Sequence, residues 1–516
     1  MLEAIKKIKF VYVFWVFFYL LLFIILVKGG FSNLDPDFGW HLKVGQEIAT
    51  TYQIPQLNTY NYTYHGNWVD HEWLSNLAIY YIYDHYGYAA LVNIFAGLII
   101  LILVILNFYV SQVLKDRANF WLIASFQLFG VLAAIPHFGV RIQELALLFV
   151  LLVLIIIDHY SRSKNWRVLL FLPPLFFLWA NLHASFLIGF FIIFSWIGIK
   201  LFEKIITKNG ELKQLSSFSL FALLSLIVTG LTPYRLELYN FLLGYKNKAY
   251  LSLIKEWLPQ SSFPFRYDQL IYLALGAVAL ILYVYFRLQK RQKLNIWEIF
   301  LSFVFLVLSL KSRRHFPLFF VVSFSLMIDI FSPFFKEIKV AYYNWLKYLV
   351  VFCGCLIAIV QFSATHFTQT PFSSFCYNYP CEAIDFLKNN SQYNDDKILN
   401  NYDWGGFMIW AIPERKLFID GRLPQVEFAN WTLIQEYYNF FSAGNNQSEK
   451  LDEYNIKLIL MSAEDKQITA KKWEKIFFGI KDSDLRAVNH LRKYLDDENG
   501  WEVIYQDKVA KIYFRN

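Results

Sequence analysis

The chain has 516 residues, enough for a large membrane part and one soluble domain. Apolar residues make up 57% of it, aromatic residues 20% and charged residues only 17%, which excludes an ordinary soluble protein of this length. The net charge of +8 is unevenly divided: residues 1–370 carry 30 Lys and Arg against 18 Asp and Glu, and residues 371–516 carry 18 against 22. The basic excess belongs to the membrane part, where loop charges set orientation, and no basic, aromatic-interleaved patch points to nucleic acid.

A run of about 20 apolar residues crosses the hydrocarbon core as a helix. Hydropathy predicts about eleven such spans, near 10–27, 89–113, 118–135, 143–160, 168–181, 186–204, 217–232, 269–287, 295–311, 316–334 and 345–364. The first is read as a span and not a secretory signal, because no small-residue cleavage site follows it. The fifth contains Pro173-Pro174, so its ends are ill defined. Basic residues then fix the orientation. Lys6, Lys7 and Lys9 precede the first span, Lys115 and Arg117 follow the second, and Arg162, Lys164 and Arg167 follow the fourth. Lys200, Lys204 and Lys208 follow the sixth, and Arg287, Lys290, Arg291 and Lys293 follow the eighth. These clusters share one side if the N-terminus is cytoplasmic, and an odd span count then puts the C-terminal part outside a plasma membrane.

The expected architecture is an all-α polytopic membrane domain over residues 1–365, with a first outer loop at 28–88 that carries an interfacial helix near 72–86. A soluble extracytoplasmic α/β domain follows over 366–516. Alternation predicts strands at 397–400, 416–420, 457–461, 501–506 and 510–514, and helices at 428–441 and 472–495. Cys353 and Cys355 lie in an apolar run. Cys376 and Cys381 flank a short loop and fit either a disulfide on an oxidising side or two free thiols.

The ionisable groups gather on the predicted outer side. The first outer loop opens with Asp35-Pro36-Asp37-Phe38-Gly39-Trp40-His41 and continues with Trp68-Val69-Asp70-His71-Glu72-Trp73. Paired carboxylates at the mouth of a span are costly unless solvated, paired or functional, and they suit a general base or a metal ligand. The plainer alternatives are a solvated turn at Asp35 and a helix cap at Asp70. Further outer groups are His137 with Arg141 and Glu144, the Trp179-Ala180-Asn181-Leu182-His183 corner, Tyr234-Arg235 and Glu256-Trp257. Lys311-Ser312-Arg313-Arg314-His315 breaks the positive-inside bias, and its guanidinium groups fit a lipid-linked phosphate. A topology slip of one span would make that turn an ordinary cytoplasmic anchor. The Asp403-Trp404-Gly405-Gly406 run reads as a strand-to-helix turn and Asp420-Gly421-Arg422 as a strand end, either as packing elements or as acceptor contacts.

The run Asp35-x-Asp37, Trp40-His41, Gly45, Ile54-Pro55, Trp68 and His71-Glu72-Trp73-Leu74 resembles the first outer loop of a group of prokaryotic membrane proteins with GT-C type glycosyltransferase architecture. The 179–183 corner, Glu256-Trp257, the 313–317 turn, the 401–406 run and 418–422 resemble that group too. Likeness to protein O-mannosyltransferases, aminoarabinose transferases and oligosaccharyltransferases is more distant. The resemblance implies transfer of a sugar from a polyprenyl-phosphate donor to an extracytoplasmic glycan, lipid or protein acceptor, among membrane lipids. It implies Asp37 as base or metal ligand, with Asp35, His71 and Glu72 as further catalytic candidates. It implies His41, Trp68, Arg141, Asn181, His183, Tyr234, Arg235, Glu256, Arg313, Arg314 and His315 as substrate-binding candidates. A divalent cation, Mg or Mn, held by Asp35 and Asp37 is a further expectation, although only Glu144 approaches the usual second acidic motif. The rival readings are a transporter or flippase of a lipid-linked glycan and a scaffold for envelope assembly.

Overall fold

Backbone placed in hydrocarbon must satisfy its own N–H and C=O groups, so the apolar runs become helices. The computed structural model describes residues 2–335 and 375–515, except for 33, 208–211, 244–248, 429–430, 444–445, 466–467, 482–484, 486–488 and 498–499. The expected span at 345–364, with Cys353 and Cys355, lies outside the described residues. Helix α1 (Leu2–Ser32) passes through the Asp35-Pro36-Asp37 turn into α2 (Phe38–Thr51). Helix α3 (Trp73–Leu114) contains the expected interfacial helix and the next span, joined across a kink at Gly87. Gly87 has φ of 73°, a region that disfavours a Cβ, so glycine lets the chain turn from one axis to the other.

The remaining helices are α4 (Phe120–Ala134), α5 (Glu144–Ser163), α6 (Leu172–Leu182), α7 (Phe186–Thr207), α8 (Leu212–Thr229), α9 (Leu236–Leu243), α10 (Tyr267–Gln289), α11 (Ile296–Lys311) and α12 (Phe316–Phe335). Among the described residues, seven helices are long and apolar enough to cross a membrane: α1, α3, α4, α5, α7, α10 and α12. The expected spans at 168–181, 217–232 and 295–311 form the shorter helices α6, α8 and α11. Pro173-Pro174 falls in the first turn of α6, where missing N–H groups cost nothing. Helix α12 is the most enclosed of these seven helices, and it packs on α3, α4, α5, α10 and α11. Exposed Phe194 on α7, Leu223 on α8 and Ile281 on α10 present the surface that suits lipid. Arg117 and Arg287, from basic loops expected on the inner side, both reach Asp329 near the C-terminal end of α12 (2.6 and 3.5 Å).

The C-terminal part holds α13 (Cys381–Asn389), β1 (Lys397–Asn400), α14 (Gly405–Ala411), the strand pair β2 (Glu427–Phe428) and β3 (Trp431–Thr432), α15 (Leu433–Asn439), α16 (Gln447–Glu453) and β4 (Ile456–Ser462). It continues with α17 (Lys472–Phe478), α18 (His490–Asp497), β5 (Trp501–Gln506) and β6 (Ala510–Arg515). A four-stranded sheet runs β1-β4-β6-β5, with β1 and β4 parallel and the other pairs antiparallel. Three expectations are corrected here. Residues 416–420 form no continuous strand: Leu417 alone pairs, as an isolated parallel bridge to Asn61 and to Ile398 of β1, while the N–H groups of Phe418 and Ile419 donate to Asn400 Oδ1 (3.0 and 3.4 Å). The helix expected over 428–441 starts only at Leu433, where Thr432 and Gln435 form a capping box. The helix expected over 472–495 is interrupted among the described residues, because Gly479 (φ 66°) ends α17 in the left-handed conformation and α18 begins only at His490.

Candidate active site

Two glycine contacts seat the Asp35–Asp37 turn. A Cβ on Gly406 would stand 2.1 Å from Pro36 O, and one on Gly421 would stand 1.9 Å from Asp37 Oδ1. A Cβ on Gly39, in the first turn of α2, would likewise meet Gly406 O at 2.2 Å. The Asp403-Trp404-Gly405-Gly406 and Asp420-Gly421-Arg422 motifs are therefore packed directly against the carboxylate turn. Replacing Gly406 by alanine is expected to destabilise the fold by about 1–3 kcal/mol, because the atom it meets is backbone and cannot swing away. Thermal unfolding of the variant, compared with wild type, checks this.

Inside the turn, Asp35 Oδ1 accepts the Asp37 N–H (2.9 Å) and Asp35 Oδ2 accepts Nε of Arg141 (2.9 Å). Arg141 also binds Glu256 through Nη1, and Glu256 lies 3.7 Å from Nη1 of Arg314. Burial raises Glu256, but Arg141 and then Arg314 outweigh it and hold the carboxyl at about 2. Among the described residues, no cation forms an ion pair with Asp37. Burial and then the neighbouring Asp35 push it up to about 8, against a downward pull from the Trp40 indole. Arg314 lies over the Trp257 ring at 5.0 Å, and Trp257 meets His315 edge-on at 5.7 Å.

A second cluster surrounds Glu72. His183 Nε2 is 3.0 Å from its Oε1, His71 Nε2 is 3.5 Å from the same oxygen, and His41 Nδ1 is 3.8 Å from Oε2. Ser185 N–H donates to His183 Nδ1 (3.0 Å), so Nε2 carries the hydrogen that faces Glu72. Burial raises the Glu72 carboxyl, but His71 and His183 together bring it well below the ordinary range. Burial lowers His71 and Glu72 more than restores it, leaving His71 raised. Asn76 Nδ2 donates to both oxygens of Asp70 (3.0 and 2.9 Å), which turns its Oδ1 toward His41 Nδ1 (2.6 Å). Asp70 therefore orients His41 through Asn76, and its Oδ1 also accepts the Glu72 N–H (3.1 Å) at the entry to α3, in line with the capping alternative.

Both clusters line one cavity of about 1480 Å³. Asp35, Asp37, His41, Trp68, His71, Glu72, Arg141, His183, Glu256, Arg314 and His315 all reach it, so the fold collects most of the sequence candidates. Its wall continues into Leu147, Leu187, Ile188, Leu242 and Leu318, and its C-terminal side includes Tyr402, Asp403, Gly421 and Arg422. Four candidates stand elsewhere. Arg313 is buried and donates from Nη2 to the carbonyls of Ser262 and Pro264, pinning the 258–264 loop. Asn181 accepts the Trp73 indole N–H (3.1 Å), Tyr234 donates to Pro55 O, and Arg235 is exposed. Glu144 lines the cavity, but its Oε1 is taken by the Gly139 N–H (2.7 Å).

The divalent cation finds no ligand set. Among the described residues, no three His, Cys, Asp or Glu are placed to hold one metal ion. Asp35 is already shared between a guanidinium and an amide. The sequence singled out Asp420-Gly421-Arg422, but not the partners that Arg422 takes from the first loop. Its guanidinium is bidentate on Asp420 (2.9 and 2.8 Å), donates to Asn58 and Asn61 (both 3.1 Å), and lies over Tyr60 and Trp68. No local spacing announces that contact. Asn76, four residues after Glu72 on one helix face, was within reach of a periodicity argument. Cys376 and Cys381 are disulfide-bonded, and the loop between them sends Tyr377 to Ser32 O (2.7 Å) and Tyr379 to Leu34 O (3.2 Å), beside Asp35.

The helical bundle, with a polar cavity at the ends of its apolar helices closed by a small sheet-bearing part, shares its fold with solved structures of membrane oligosaccharyltransferases. The apo structure of the Archaeoglobus fulgidus oligosaccharyltransferase matches with a TM-score of 0.56 at 11% identity, over 89% of this chain and 70% of that one. The archaeal oligosaccharyltransferase AglB from the same organism, in complex with an inhibitory peptide and a dolichol-phosphate, matches at 0.55 and 13%, over 99% and 74%. The form tethered to an acceptor peptide with the NVT sequon matches at 0.57 and 13%, over 100% and 75%. At such identity the likeness is one of fold. No protein-family model and no curated protein matches the chain by sequence.

Proposed function

We propose that this chain is a GT-C type glycosyltransferase that moves a sugar from a polyprenyl-phosphate donor to an acceptor outside the cytoplasm. The observation that carries the reading is that Asp37 and Arg314 line the same cavity, which continues into a leucine-rich wall suited to a prenyl chain. The N-terminus is cytoplasmic and the C-terminal part extracytoplasmic in this reading, in keeping with the Cys376–Cys381 disulfide. Asp37 takes the proton of the acceptor hydroxyl as its oxygen bonds to the anomeric carbon. The bond from that carbon to the phosphate oxygen breaks, and the polyprenyl phosphate leaves with the electron pair. Arg314 faces the charge that grows on the phosphate. No second nucleophile is required, so inversion at the anomeric carbon follows. No three-ligand metal cluster stands among the described residues, and no step is routed through a cation.

The direct test is transfer from defined polyprenyl-phosphate sugars by the purified protein. Donor moved across a vesicle bilayer without turnover would instead support the flippase reading. Arg314→Ala is expected to lower kcat by about 10²-fold, the scale of losing one group that stabilises developing charge. Arg313→Ala is expected to spare kcat and to cost about 1–3 kcal/mol of stability, since two buried carbonyls lose their donor. Equal kinetic losses in the two variants would refute the assignment.

The rate should also depend on pH in a defined direction. Asp37 rises from 3.8 to about 8, so it is mostly protonated at neutral pH and gains base character as pH climbs. With Asp35 beside it, the apparent value belongs to the pair. The expected kcat/KM profile rises about tenfold per pH unit below about 8 and levels above it. A flat profile through that window would remove Asp37 as the base.

A further inference from the structure

A surface helix of a soluble domain buries its apolar side and shows its polar side to water. Helix α17 does the reverse. Glu474 is only 5% exposed, and its oxygens accept the Tyr267 hydroxyl (2.6 Å) and the Lys471 N–H (2.6 Å). On the outer side, Ile476 and Phe477 stand 71% and 79% exposed, with Trp473 and Phe478 beside them. A contiguous apolar patch of this kind on a folded surface marks something that covers it.

What covers it follows from where the helix sits. Tyr267 is the first residue of the spanning helix α10, and Trp473 packs on it at 5.2 Å. Phe478 packs at 4.5 Å on Phe265, two residues before that span begins. The helix therefore lies at the level where α10 enters the hydrocarbon. Aromatic side chains favour that interface, and the exposed Lys471 and Lys472 suit the lipid phosphates there. The geometry points to α17 as a bilayer anchor: Trp473, Ile476, Phe477 and Phe478 are embedded in the outer leaflet, and the flanking lysines lie on its headgroups. The segment that leads to α17 leaves β4 through Glu464 and Asp465, which line the cavity.

The test does not depend on catalysis. Cysteine at position 476 or 477 (I476C, F477C), in a background with Cys353 and Cys355 replaced by alanine, is labelled with a nitroxide. The full chain is reconstituted in nanodiscs of phosphatidylcholine with phosphatidylglycerol. Collisions with oxygen should exceed collisions with a water-soluble nickel chelate, as for a label on lipid-facing Ile281. A label on exposed Lys388 should show the opposite. Nickel dominance at 476 and 477 would place the patch in water and overturn the proposal. Exclusion of both colliders would mean that protein covers it, a second copy or another partner, and would overturn it equally. Failure of the transfer assay leaves this measurement untouched, so the anchor and the enzyme readings fall separately.

Discussion

Asp37→Asn is expected to lower kcat by about 10²- to 10⁴-fold, the range that general-base catalysis supplies, while the fold persists. Asparagine keeps the shape that fits against Gly421, so the close contact at that glycine survives. It also needs no proton taken up on burial, as Asp37 does, so stability at neutral pH should hold or rise slightly. Donor affinity should change little, because the proposed phosphate contact belongs to Arg314. Transfer assays with KM and kcat separated check all three points. Unchanged turnover would remove Asp37 as the base, and Glu72 with its histidines would become the next candidate. Gly421→Ala gives an independent handle. Its new Cβ competes for the space of Asp37 Oδ1, so it should reduce kcat although it changes no ionisable group.

Arg141→Ala is expected to produce the largest loss of stability. Arg141 joins Asp35 to Glu256, and all three are largely buried. Removing the cation leaves two carboxylates without their partner, a change of about 3–5 kcal/mol when a buried pair is broken. Part of that cost comes from the unpaired acids, so R141A/E256Q should be less damaged than the two single effects added together. Arg141→Lys should fall between wild type and alanine, since one ammonium cannot reproduce a fork that reaches two carboxylates. Thermal unfolding in detergent, for the single and double variants, gives the comparison. Strict additivity would show that Arg141 does not couple the two acids.

The sequence by itself determined the helical membrane character, because hydrocarbon-spanning runs need no tertiary information to be recognised. It also determined that the carboxylate loop, the 179–183 corner, Glu256 and the arginine turn belong together, since topology alone delivers them to the same ends of their spans. Tertiary structure decided which neighbour in each motif faces the cavity. Arg313 and Arg314 are adjacent in a 3₁₀ turn, where successive side chains diverge by about 120°. One of them therefore pins a loop while the other meets Glu256 and the cavity. Tyr234 and Asn181 are taken up by hydrogen bonds to segments distant in sequence, Pro55 O and the Trp73 indole, because a buried polar side chain needs a partner wherever packing supplies one. The seating of Asp37 against Gly421 and Gly406 was invisible in the sequence, because contacts between distant segments leave no periodicity to read. The 311–315 turn carries both lessons: its charge flagged a candidate phosphate site, and only the rotation of its backbone decided that Arg314 and not Arg313 lines the cavity.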